Sequence, residues 1–193
     1  MAVGKVVSGF SKPYVALYAA SAGTITYTSG QRLARGVNVS GSADTADDNN
    51  FYADNVIAET EAGVFTSGEL TLTVDGLKQD AEKLIMGLPT AGTDGFVKYD
   101  DDQLIPDVGI GFIVRYVEDG VTTYTPVIYP RCAFQFPNTE AATQEENIDW
   151  QTQELTATIK RAEDAKRTWK YVGGAETTEA AAEDKIKTFF SIT

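Results

Sequence analysis

The sequence predicts a mainly β, α+β fold: a β-sandwich or partly closed barrel with one flanking internal helix and a short C-terminal helix. Three observations carry that expectation. Much of the chain reads as short runs of alternating apolar and polar residues separated by Gly, Pro, Asn and Asp. The clearest run is 68–75, with Leu70, Leu72 and Val74 on one face and Glu69, Thr71, Thr73 and Asp75 on the other. It leads at once into an apolar stripe at Leu77, Ala81, Leu84, Ile85 and Leu88. At the far end, Ala182, Ile186, Phe189 and Phe190 repeat the helical spacing.

At 193 residues the chain is long enough for one domain, 1–193, with a sizeable core. Hydrophobic residues make up 42% and charged ones 23%, an ordinary globular composition. The longest apolar run, Val108 to Val114, contains two glycines and falls far short of a membrane span. Met1 to Lys5 lacks the pattern of a leader, so the expectation is a protein held in the cytoplasm where it is made, without a membrane anchor. The chain has no histidine, which removes the commonest general base and most transition-metal sites, and no cofactor is expected. The lone Cys132, between apolar neighbours, is expected to be a buried, inert thiol. Sixteen cations against 28 anions give −12, and the basic residues gather nowhere beyond Lys160 to Lys170; tight DNA binding needs the opposite balance.

In chain order, Lys12–Tyr18 and Gly23–Thr28 read as two strands about a small turn. Leu33 to Ser42 reads as a third, with Leu33, Val37 and Val39 alternating with Asn38, Ser40 and Ser42. Residues 40–50 have almost no apolar content and predict a long exposed loop. Asp44, Asp47, Asp48, Asn49 and Asn50 have the oxygen ligands calcium takes, but not the glycine and distal glutamate of a calcium loop, so a solvated loop is expected. Asp75 is placed to cap the internal helix and Gly87-Leu88-Pro89 to stop it. Phe96 to Asp102 reads as a short strand ending in three acids. Val108–Val117, Val121–Tyr129 and Arg131–Phe136 follow as strands, the first two joined by Glu118-Asp119-Gly120, with Pro126, Pro130 and Pro137 confined to edges or ends. The last long strand, 148–159, changes phase: Ile148 and Trp150 lie on one parity, Leu155, Ala157 and Ile159 on the other. A bulge, or Trp150 buried against another subunit, would account for it. A charged turn then leads to Thr168–Val172, Gly173-Gly174 breaks the chain, and a helix is expected over 177–191.

No phosphate-cradling glycine loop is present. Gly109-Ile110-Gly111 lacks the third glycine and the helix of a dinucleotide fingerprint, and glycines in a strand more simply permit close packing by a neighbouring backbone. Adjacent acids such as Asp101-Asp102 and Glu145-Glu146 point to opposite faces of a strand and do not converge on one bond. An enzyme is therefore not expected.

The segment Phe51-Tyr52-Ala53-Asp54-Asn55, followed by Gly68-Glu69-Leu70-Thr71-Leu72 and the helix with Leu84 to Gly87, resembles the major tail (tail tube) proteins of long-tailed, non-contractile bacteriophages. The similarity is clearest over residues 33–90. It implies a tail-tube-like fold and a virion structural subunit, assembled in the cytoplasm of the bacterial host. Such subunits form stacked, usually hexameric rings around a channel for DNA. The implied partners are further copies of the chain, other tail proteins (tape measure, tail terminator, distal tail), and DNA passing without specific binding. The polar positions Asn38, Ser40, Ser42, Glu69, Thr71, Thr73, Gln151 and Gln153 are candidates to line such a channel. The polar excursion with Phe51 and Tyr52 behind it is the candidate contact with an adjacent subunit or ring, with Asp54 and Asn55 fixing the turn by side-chain hydrogen bonds. The alternatives are that Phe51 and Tyr52 are ordinary strand residues, and that the chain is a monomeric β-sandwich adhesion or carbohydrate-binding module using Tyr14, Tyr18, Tyr27, Tyr124 and Trp169 as stacking platforms.

Overall fold

A computed structural model describes residues 4–90, 92, 95–139, 141, 143 and 150–192. The chain is mainly β with an antiparallel sheet, as predicted. The strands are β1 (Val6–Ser21), β2 (Thr24–Arg32), β3 (Gly36–Thr45), β4 (Asn49–Ala53), β5 (Val56–Glu61), β6 (Phe65–Val74), β7 (Val108–Glu118), β8 (Val121–Phe134), β9 (Gln153–Ile159) and β10 (Tyr171–Val172), with helices α1 (Gln79–Met86) and α2 (Glu179–Phe189). The main sheet runs β2-β1-β7-β8-β9-β6-β3, with β10 added on β8, while β4 and β5 pair only with each other. The start of β3 comes back against β1. Residues 33–35 link β2 to β3, the Leu33 N–H donates to the Pro13 carbonyl at 2.8 Å, and the Phe10 ring lies against Gly36.

Two bulges keep one face of the long strands on the core. Between Ser11 and Tyr14 the β1–β7 register shifts at Lys12, which has φ 52°, so Phe10 before it and Val15 and Leu17 after it all reach the main core. In β8, Pro130 and Arg131 stand opposite a single position of β7, so Val127 and Tyr129 before the bulge and Cys132 and Phe134 after it face the same way. Proline lacks the donor a ladder needs, and a bulge is where that lack is tolerated. The sequence reading split this strand at Pro130; it is continuous.

Leu70, Leu72, Val74, Leu155, Ala157 and Ile159 fill the inside, and α1 closes it with Ala81, Ile85 and Met86. Helix α1 starts later than expected. Its N-cap is Lys78, without a side-chain cap, because Asp75 is engaged elsewhere: its Oδ1 accepts from the Arg35 N–H (2.9 Å) and its Oδ2 from Arg35 Nε (2.5 Å). Those bonds hold the Asp75 carboxyl below its usual range. The predicted stop is found, with Gly87 left-handed at φ 65°.

The other face of the sheet carries a second core of Tyr14, Ala16, Ile113 and Ile128 under Ala182 and Ile186 of α2 and Phe190 at its C-cap. Thr178 caps α2 by accepting the Ala181 N–H at 3.2 Å. Gly109 and Gly111 lie beneath it, and a Cβ at Gly111 would come within 2.8 Å of both Ile186 and Phe190. The close neighbours those glycines admit are side chains, Tyr27 of β2, Ile186 of α2 and Phe190 just beyond it, not a backbone.

Other expectations are corrected. Residues 96–100 form no strand; Phe96 is exposed and the Tyr99 hydroxyl donates to Glu82 Oε1 at 2.6 Å. Strand β9 begins at Gln153 and pairs with β6 without a register shift, so no bulge explains the phase change. Trp150 precedes the strand and is 82% exposed, while Ile148, Glu145 and Glu146 lie outside the described residues. No helix among the described residues is long and apolar enough to cross a membrane. Cys132 is fully buried, and burial pushes its thiol pKa up, away from the reactive thiolate.

Candidate assembly surfaces

Strand register assembles a polar face from three neighbouring strands. Asn38 of β3 pairs with Thr73 of β6, Ser40 with Thr71 and Ser42 with Glu69. Across β6, Thr73 pairs with Glu154 of β9, Thr71 with Thr156 and Glu69 with Thr158. Directly opposed residues project to the same side of a sheet, so these nine side chains form three rows on the face opposite the main core. The patch holds two carboxylates, small hydroxyls and one amide, and no Lys or Arg.

Of the predicted channel positions, the six on β3 and β6 therefore come together. Gln153 does not join them. It pairs with the inward Val74, and its Oε1 accepts the Leu77 N–H at 3.1 Å, tying β9 to the entry of α1. Gln151 lies in the exposed coil before β9. Glu154, Thr156 and Thr158 were missed, although the polar parity of that strand carried the signal: Leu155, Ala157 and Ile159 point in, so their neighbours point out.

The second surface corrects the predicted loop at 40–50. Residues 40–45 continue β3 as far as the Thr45–Phe65 pair, Asn49 and Asn50 open β4, and only 46–48 lie outside strands. What projects is a hairpin, β4–β5, fed by β3 and returning into β6. Its root is tied by the Ala46 N–H to the Val64 carbonyl (2.9 Å) and by the Gly63 N–H to Asp48 Oδ1 (2.9 Å). Asp44 stays on the main ladder, its Oδ2 accepting from Ser67 at 3.3 Å, and Asn50 Oδ1 accepts from Thr60 at 2.7 Å.

The turn is Asp54-Asn55, at φ 50° and 64°. Two consecutive left-handed residues make the primed turn whose twist suits a two-residue hairpin, and Asp and Asn are the non-glycine residues that best tolerate it. Backbone conformation, more than the expected side-chain bonds, accounts for the turn.

Phe51 and Tyr52 are strand residues, as the alternative had it, yet they are not covered. Tyr52 pairs with Ile57 on one face, while Ala53 and Val56 share the other face with Phe51. Phe51, Tyr52, Val56 and Ile57 are 64, 62, 62 and 53% exposed, so the arm shows apolar side chains on both faces. An isolated two-stranded hairpin is marginal in water, and large apolar groups on both its faces raise the cost of leaving it unpartnered. Asp47, Asp48, Asp54, Glu59 and Glu61 make the rest of it acidic.

The aromatic residues weighed as stacking platforms are largely engaged inside the molecule. Tyr14 is buried, Trp169 stacks on Phe65 with ring centroids 4.6 Å apart, and Tyr27 packs against Phe189 and Phe190. No protein-family model matches the chain, and none of the curated proteins compared with it does.

Proposed function

We propose that the chain is a structural subunit of a phage tail tube, self-assembling into stacked rings, hexameric as in the family it resembles, around a polar, non-basic channel for DNA, and that it is not an enzyme. One observation carries the reading: the β4–β5 arm presents Phe51, Tyr52, Val56 and Ile57 to solvent on both of its faces, and nothing among the described residues covers them. A surface of that kind calls for a partner that encloses it, and further copies of the chain are the partner self-assembly supplies.

The three-row polar face supports the channel part of the reading. A wall with two carboxylates and no cation has nothing to displace the counterions of DNA phosphates, so a duplex slides past it. In this reading the outer edges of β2 and β3, the ends of the strand order, are where neighbouring subunits continue the sheet. Localisation in a virion tail and contacts with tape measure, terminator and distal tail proteins belong to the same proposal.

Light scattering across a concentration series tests it. The reading expects masses at multiples of 20.8 kDa that grow with concentration. A species that stays at one chain mass under every salt condition contradicts it.

A further inference from the structure

In a chain of net charge −12, five of the sixteen cations stand within residues 160–170. The acids of that turn do not neutralise them all. Glu163 Oε1 receives Arg131 Nη1 at 2.7 Å, and Lys160 Nζ is bound to Asp107 Oδ1 at 2.7 Å. Asp164 is used within the turn, Oδ1 accepting the Thr168 N–H (2.8 Å) and Oδ2 the Thr168 hydroxyl (2.6 Å). Among the described residues, Arg161, Lys166, Arg167 and Lys170 have no carboxylate at ion-pair distance. The Asp164–Thr168 bonds brace the turn, and Arg167 is held in it at φ 53°. The cations thus stand on a set frame.

The acidic counterpart is the arm. Residues 44–61 carry six carboxylates and no Lys or Arg, and no ion pair joins them to the basic turn among the described residues. Opposite charges on two exposed elements that do not satisfy each other within one chain suit a contact between two chains. We propose that the arm of one copy seats on the Lys160–Lys170 turn of a second copy, with Glu59 and Glu61 against Lys166, Arg167 and Lys170. The inference rests on the self-assembly reading and names the surface that receives the arm.

Packing sets the geometry of that contact. Trp169 stacks on Phe65, the first residue of β6, so the basic turn sits at the root of its own copy's arm. Glu61 pairs with Asn49 at the base of the arm and Glu59 with Phe51 midway along it, so the acids that meet the basic turn lie on the near half of the arm and its tip at Asp54 runs on past that contact. An arm reaching the root of the next copy is a heterologous contact, and such contacts close into rings or continue as helices.

Carbodiimide cross-linking of the assembled wild-type protein, prepared from mixed light and nitrogen-15 chains, tests this without any variant. Peptides joining Glu59 or Glu61 of one copy to Lys166 or Lys170 of another are expected. The variant K166E/R167E, and separately E59K/E61K, should weaken self-association on the order of tenfold or more at low salt, and the two combined in one chain should restore it. If the wild type assembles while its arm acids cross-link elsewhere, or K166E/R167E assembles like the parent, the contact is wrong and self-assembly stands. If the wild type never associates, both readings fall. A turn that retards a DNA oligonucleotide while giving no arm cross-link has another occupant, which also overturns the inference.

Discussion

Glu183 illustrates how single residues hold α2 to the sheet. Its side chain is 14% exposed; Oε1 accepts the Tyr14 hydroxyl at 2.5 Å, and Oε2 accepts Lys12 Nζ at 2.5 Å. Lys187, one helical turn on, lies 3.1 Å from Oε1. Burial pushes the carboxyl pKa up, but the bonds from Lys12, Tyr14 and Lys187 outweigh it and bring the value to about 2. A depressed folded-state pKa gives stability that is present above the unfolded value near 4.5 and is lost as pH falls toward 2. Glu183→Gln should therefore cost on the order of 2–3 kcal/mol at pH 7, and much of the gap to the parent should close by pH 2.5, as urea unfolding at the two pH values will read. A gap that does not change with pH would remove the ionic explanation. None of this constellation was legible in the sequence, because the bulge that aims Lys12 at α2 is a matter of register between strands 100 residues apart.

At the scale of elements, the local signals were read well and the long-range ones were not. Alternation located β6 and its inward leucines, the stripe at 182–190 located α2, and Glu118-Asp119-Gly120 located the β7–β8 turn, with Asp119 and Gly120 left-handed. The cap at Asp75 failed because Arg35, forty residues away, binds that carboxylate. The loop at 40–50 failed because small polar residues on an edge strand look like a loop to any rule that counts apolar content, although Asp54-Asn55 between Phe51-Tyr52 and Val56-Ile57 carried a hairpin signal. Two predictions belong here. Gly111→Ala places a methyl where Ile186 and Phe190 stand, so thermal unfolding should show a loss of about 1–3 kcal/mol, whereas an unchanged melting temperature would mean that α2 is not packed so closely. Replacing 47–62 by a tight Asn-Gly turn should keep the β3–β6 ladder and leave the stability of the monomer within about 1 kcal/mol of the parent while abolishing assembly. Normal assembly without the arm would overturn its role.

For the whole molecule, the parity of each strand was readable, but the side-by-side order β3-β6-β9 that turns three polar parities into one surface was not, since nothing local specifies which strands neighbour each other. The channel assignment makes that surface testable. Glu69 and Thr71 lie on it, so Glu69→Lys with Thr71→Lys should leave tubes intact and slow DNA passage through new phosphate contacts; unchanged genome delivery from intact tubes would place this face outside the lumen. The central claim, self-assembly into a tube, is tested most directly by negative-stain electron microscopy of the purified protein at high concentration. The account predicts rings and stacked tubes with an open channel. A field of single particles of one chain mass, with no rings under any salt condition, would contradict it.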